Sequence, residues 1–213
     1  MSEQAVPAAT AAMLARRRSV LDAGAEPLGW KVGFNLPAIQ GKLGIEAPLA
    51  GFLSSAGLLA DGSTLDLGGR PAVAEPEVAV EIGDDGRSIA ALLPALEVAD
   101  PPDLSWDVER ILAGNIFHRA VAFGPRVETT GDPGAARILV NGEERDQVPA
   151  GRTGAHLEAM VAAVAARLEA AGEALAPGER IITGVLAPPP PVEPGDTVRL
   201  ELDALGAVGL SFS

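Results

Sequence analysis

The 213-residue sequence has no Cys and no Tyr, only two His, and aromatic residues at 3%. The absence of Cys removes disulfides, thiolate metal sites and cysteine nucleophiles together, and leaves the redox compartment open. With so few aromatics, the core has to be built from Ala, Val, Leu and Ile. Basic residues are also scarce, 16 against 29 acidic ones, for a net charge of −13. The chain therefore lacks the cationic footprint that displaces counterions from phosphates, and no nucleic-acid partner is expected.

Long apolar runs are missing too. The longest uncharged stretch near the middle, Ala47 to Ala60, has 14 residues and contains Gly and Ser, short of the roughly 18–20 apolar residues of a spanning helix. No membrane association is expected. Glu3 stands where a signal peptide carries positive charge, and Arg16-Arg17-Arg18 follows the apolar stretch instead of preceding it, so a soluble, cytoplasmic protein is the expectation. There is no G-x-S-x-G, no P-loop and no dinucleotide glycine fingerprint, which leaves hydride transfer and nucleotide hydrolysis without support.

What is present is 47% apolar residues, enough for a sizeable core, punctuated by 25 Gly and 18 Pro dispersed between short apolar runs. That pattern predicts an α+β fold in which β predominates, as one domain over residues 1–213: an N-terminal helical segment (1–27) and a β-rich body (28–213). Helices are predicted over Ala8–Ala23, from a cap near Ser105 with Val108, Leu112 and Ile116 on one face, and over His156–Ala171 before Gly172. Strands are predicted at 29–34, 58–67, 75–82, 91–99, 120–123, 180–185, 197–202 and 207–212. Asn141-Gly142 signals a type I′ hairpin whose polar return strand, Glu143 to Gln147, suits a sheet edge.

The chemistry concentrates in Ala74-Glu75-Pro76-Glu77-Val78-Ala79-Val80-Glu81-Ile82. In a strand, residues two apart share a face, so Glu75, Glu77 and Ala79 point one way and Val78, Val80 and Ile82 the other. Two such close carboxylates repel unless a proton or cation lies between them. Glu97, between Leu96 and Val98, is costly to bury without a partner. Three oxygen ligands in a chain with no Cys select a hard cation, Mg²⁺ or Mn²⁺. The same pattern also accommodates Glu75 and Glu81 in solvent with Glu97 paired to an Arg, since alternation puts Glu81 on the same face.

In Gly29-Trp30-Lys31-Val32-Gly33-Phe34, alternation sends Trp30, Val32 and Phe34 to one side and Lys31 to the other. In a cleft, the Lys31 ammonium can bind a substrate carboxylate or stabilise an enolate; otherwise its tip reaches solvent. Asn115 shares a helical face with Val108 and Leu112 and is a candidate to line the pocket. His118 as a general base has no acid at a suitable spacing to orient it.

Taken in order, Gly29-Trp30-Lys31-Val32-Gly33, Glu75-Pro76-Glu77-Val78-Ala79, Pro94-Ala95-Leu96-Glu97-Val98-Ala99-Asp100, Gly114-Asn115 and Gly195-Asp196-Thr197-Val198 with Leu205-Gly206 resemble the 2-keto-4-pentenoate hydratase and 4-oxalocrotonate decarboxylase family. That family belongs to the fumarylacetoacetate hydrolase-like superfamily. The resemblance implies a mixed β-sandwich roll, metal ligation by Glu75, Glu77 and Glu97, an active-site role for Lys31, and a homo-oligomer with a decarboxylase as a further partner. It implies a lyase that adds water to a small 2-hydroxy-dienoic or 2-oxo-enoic acid. Its rivals are C–C hydrolysis or decarboxylation of a related 2-oxo acid, and a non-catalytic subunit. The chain departs from the family at Pro48-Leu49-Ala50-Gly51, where an acidic residue is usual. It departs again at Pro101-Pro102 in place of Ser-Arg, and at Val185 in place of a small hydroxyl residue.

Overall fold

A computed structural model describes residues 2–101, 105 and 107–213. Its elements in chain order are α1 (Ser2–Asp22), β1 (Pro27–Gly33), α2 (Pro37–Leu43), β2 (Leu49–Ser54), β3 (Leu58–Leu59), β4 (Thr64–Leu65), β5 (Ala72–Ile82), β6 (Ile89–Ala99), α3 (Val108–Ala113), β7 (His118–Phe123), β8 (Ala136–Val140), β9 (Glu143–Val148), α4 (Leu157–Ala170), β10 (Arg180–Val185), β11 (Pro191–Val192), β12 (Thr197–Leu202) and β13 (Gly206–Phe212). The larger sheet runs β2-β1-β10-β5-β6-β7-β3 with β11 paired to β5, and the smaller runs β4-β13-β12-β8-β9. β1–β10, β3–β7 and β4–β13 are parallel and the other pairs antiparallel, so both sheets are mixed and the α+β roll expected from the sequence is what forms.

The two faces of the larger sheet have different jobs. One carries Trp30, Val32, Val78, Val80, Leu92, Leu96 and Ile181 into the main core, shared with the helices and with Ile138, Leu200 and Val208 of the smaller sheet. The other buries a small cluster of Leu53, Ala79, Leu93, Ala95, Val121 and Ile182, and Lys31 and Glu97 lie on this face through the pairs Lys31↔Ile182, Ile182↔Ala79 and Glu97↔Val121. Small residues and short aliphatics there let the sheet curl with this face inward.

Several predicted elements change. The 58–67 strand is two short ones, and β2, a run of six buried residues with no alternation, had no periodic signal to reveal it. β11 forms within the proline run, where Pro191 and Val192 pair with Val73 and Ala72. The second helix is capped by Asp107, which accepts the Arg110 N–H at 2.8 Å, and not by Ser105; residues 102–104 and 106 lie outside the described residues. It ends at Ala113, before Ile116, because Asn115, Ile116 and Phe117 all adopt left-handed backbone with φ of 57°, 51° and 62°. The hairpin at Asn141-Gly142 has positive φ at both residues, as a type I′ turn requires, and β9 is an edge strand. No helix among the described residues is long and apolar enough to cross a membrane.

Candidate metal centre

β1 and β6 are separated by β10 and β5, about 14 Å in a flat sheet at some 4.8 Å per strand gap. Yet the Lys31 Nζ donates directly to Glu97 Oε1, so the curl of the sheet closes that distance across its inner face. Glu75 and Glu77 follow from the period-2 alternation of β5, and Glu75 is directly opposite Glu97 on β6. One carboxylate oxygen from each of Glu75, Glu77 and Glu97 lies within 4.8 Å of the others. Glu81, on the same strand face, is outside this cluster: it pairs with Arg126 at 2.7 Å and Arg180 at 3.6 Å.

The polar contacts are divided so that ligand atoms stay available. Glu77 Oε2 accepts the Gly184 N–H at 2.6 Å, where the register of β10 against β5 shifts. Gly184 reaches this geometry with φ of 102°, a conformation that L side chains rarely adopt. Glu97 Oε1 takes both Lys31 and His118 Nδ1, the latter at 2.8 Å, while Glu97 Oε2 is buried with no partner. An orphaned buried carboxylate oxygen calls for a missing partner. Three carboxylates, one with a free oxygen, form the donor set of a hard divalent cation, and the residues present fit that ion.

Electrostatics agree. Burial, with the Glu97 charge beside it, pushes Glu75 up to about 7 against the opposing pull of Lys31. Glu77 is pushed well above the carboxylate range, first by burial and then by Glu97 and Glu75. Burial acts on Glu97 in the same direction, but Lys31 and His118 outweigh it and hold its carboxyl below the ordinary value. Burial tends to discharge Lys31, and the surrounding charges of Glu97, Glu75 and Glu77 override it, so the ammonium is held above its usual range. Lys31 is thus a fixed cation.

Lys31 is positioned by its neighbours. Its Nζ also donates to Ile116 O at 3.0 Å, a carbonyl aimed inward by the left-handed run at 115–117. Left-handed backbone at a β-branched residue is strained, and Asn115 holds it: Oδ1 accepts the Phe52 N–H at 2.8 Å and Nδ2 donates to Phe52 O at 2.9 Å. Gly51, opposite Lys31, has no room for a side chain, since a Cβ there would sit 2.8 Å from Asn115 Oδ1 and 2.9 Å from Lys31 Cγ. Asn115 therefore spends its amide on β2 instead of lining the pocket. Asn115→Ala strands two buried backbone groups and is expected to destabilise the protein by about 2 kcal/mol, as denaturant titration would show; an unchanged midpoint would mean the turn holds without it.

A cavity of about 320 Å³ opens over this cluster, with Lys31, Glu75, Glu77 and Asp100 among its lining residues and Val32, Phe34, Leu36, Ile39, Ile116, Phe117, Val185 and Pro189 as apolar wall. Phe34, assigned by alternation to the side of Trp30, lines this cavity because φ at Phe34 is 57° and the chain leaves the strand there. Sequence reasoning missed two further groups. His118 does have an orienting acid, Glu97, but it comes from the neighbouring strand and no spacing along the chain shows it. Asp100, paired with Arg119, reaches the cavity wall from the end of β6.

A curled mixed sheet with three inward carboxylates and a buried lysine is the scaffold of a divalent-metal site in a small-molecule cavity. The model of the fumarylacetoacetate (FAA) hydrolase C-terminal family matches residues 46–211, and the chain belongs to that family. It is 27% identical over 215 residues to a 4-oxalocrotonate decarboxylase of Pseudomonas putida, covering 92% of this chain and 81% of the relative. It is 28% identical over 238 residues to a TodF product hydratase of the same species, covering 100% and 86%. The solved structure of a 4-oxalocrotonate decarboxylase from Pseudomonas putida, complexed with magnesium and adipate, superposes with a TM-score of 0.85 at 23% identity, over 96% of this chain and 85% of that one.

Proposed function

We propose that the protein is a metal-dependent hydratase, a carbon–oxygen lyase that adds water to a small 2-oxo-enoic or 2-hydroxy-dienoic acid such as 2-oxopent-4-enoate. Glu75, Glu77 and Glu97 hold Mg²⁺ or Mn²⁺ in this reading. The observation that carries it is a cluster of three carboxylates joined to a lysine through Glu97, of which Glu75, Glu77 and Lys31 line one small cavity, and the names of the hydratase relatives support the substrate class. When bound, the cation supplies Lewis-acid stabilisation for negative charge on the oxygens of a 2-oxo acid. Lys31 adds a second, preorganised positive charge at the cavity floor, placed to bind and stabilise anionic oxygen. Val32, Ile116 and Phe117 exclude water from these charges, which strengthens them. Assembly as a homo-oligomer, with a decarboxylase as a further partner, belongs to the same proposal.

Decarboxylation of an oxalocrotonate-like acid is the second reading, favoured by the decarboxylase relatives. Calorimetry with Mn²⁺, with and without oxalate as an enolate mimic, tests the site. Binding that oxalate strengthens and that Glu77→Gln abolishes is expected, after which product analysis separates water addition from CO₂ release. A native protein that binds no Mn²⁺ would sink the lyase reading and leave the non-catalytic subunit in its place.

A further inference from the structure

The cavity is chemically lopsided. Its charged groups, Lys31, Glu75 and Glu77, gather at the floor, where the proposed head group is held. Away from them the wall is mostly apolar, Phe34, Leu36, Ile39, Phe117, Val185 and Pro189, interrupted by the neutral amide of Asn35 beside Gly184. Leu36, 57% exposed, extends this apolar wall to the surface, where a substrate's far end can reach it. The volume, about 320 Å³, corresponds to roughly ten waters at some 30 Å³ each, more room than the eight non-hydrogen atoms of a five-carbon 2-oxo acid require.

Among the described lining residues, the one charged group away from the floor is a carboxylate. Asp100 lines the cavity with its side chain 43% exposed. The guanidinium beside it is already engaged, because Arg119 Nε donates to Asp100 Oδ1 and its Nη2 to Pro71 O at 2.8 Å. Among the described lining residues no cation other than Lys31 appears. A substrate carrying a second carboxylate at its far end would meet a mostly apolar wall and the Asp100 carboxylate, itself paired with Arg119, with no free cation among the described lining residues and only the neutral Asn35 amide to replace the water it loses.

We propose that the site takes a 2-oxo acid whose far end is an uncharged hydrocarbon tail longer than that of a five-carbon acid, and that it rejects a distal carboxylate, with Leu36 and Asp100 setting the preference. This rests on the reading of the floor as a metal-assisted 2-oxo acid site. It separates the chain from relatives named for oxalocrotonate and favours the hydratase over the decarboxylase reading. Each methylene fully buried against this wall is worth about fourfold in affinity.

Calorimetry on the Mn²⁺-loaded protein tests it with oxalate, pyruvate, 5-methyl-2-oxohexanoate and 2-oxoglutarate, the last two matching in shape but differing in the charge of the far end. The branched alkyl acid is expected to bind at least about tenfold tighter than pyruvate, and 2-oxoglutarate no tighter than pyruvate. Leu36→Arg, at an exposed position that the fold tolerates, is expected to raise 2-oxoglutarate affinity about tenfold and to lower that of the alkyl acid. Normal oxalate binding with 2-oxoglutarate equal to or tighter than the alkyl acid overturns this inference alone. Unchanged 2-oxoglutarate binding in Leu36→Arg overturns the assignment of Leu36 to the far end. Loss of oxalate and all three 2-oxo acids together overturns the reading of the floor as well.

Discussion

Lys31→Met is expected to lower the stability of the metal-free protein by about 3–5 kcal/mol at pH 8, because it leaves a buried carboxylate cluster without its cation. Lys31 and Glu97 are both almost fully buried, with side chains 3% and 0% exposed, so solvent cannot replace the lost partner. Met is close to Lys in volume, so the loss reports on charge more than on packing. Two consequences distinguish this from ordinary core damage. The deficit should shrink at pH 5, where Glu75, raised to about 7, takes up a proton and the cluster carries less charge. Saturating Mn²⁺ should also restore much of it, since the ion supplies the missing positive charge. Denaturant titrations at the two pH values, with and without Mn²⁺, measure all of this. A deficit independent of both pH and metal would show that Lys31 acts as a space-filler.

The same cluster shows how far sequence could lead and where it stopped. Glu75 and Glu77 were legible because alternation in a strand is local, and Lys31 because its apolar neighbours Trp30 and Val32 needed the opposite face. The partnership of Lys31 with Glu97 was not, since it depends on the curl of four strands and on the order β1-β10-β5-β6, a product of long-range pairing. His118 was passed over for the same reason: Ala99 pairs with His118, and its orienting carboxylate sits 21 positions away in sequence. Asn115 was placed on a helical face that the chain abandons at Ala113. Its amide does secure the site, through the β2 backbone. The family resemblance pointed to the glutamates and the lysine; the structure adds that the three carboxylates lie together, how each group is held, and that no carboxylate stands on β2, where Pro48-Leu49-Ala50-Gly51 departs from the family.

The metal-free protein is expected to lose stability as pH rises from about 5 to 7.5, the reverse of what a carboxylate in a salt bridge produces. Glu75 moves from its ordinary 4.5 to about 7 in the folded state, so between those values the folded chain holds a proton that the unfolded chain releases. Stability falls with pH wherever the folded state binds more protons. The contribution is fully present below about 4.5 and lost as pH passes 7. A displacement of that size is worth about 3 kcal/mol, and Glu77, raised for the same reason, adds in the same direction. Glu97 runs the other way, but its carboxyl lies below the ordinary value, so its contribution changes at more acidic pH and leaves this window alone. At about 2–4 °C per kcal/mol, Tm should drop by roughly 6–12 °C across the window. A bound divalent cation reverses the sign, because it requires the ionised carboxylates and competes with their protons; the Tm gain on adding Mn²⁺ should therefore grow steadily over the same pH range. Glu75→Gln removes the titrating group and serves as the control, with a metal-free profile about 3 kcal/mol flatter than the native one. Parallel profiles for the two proteins would mean that Glu75 ionises normally, and that the repulsion invoked to draw in the cation is relieved some other way.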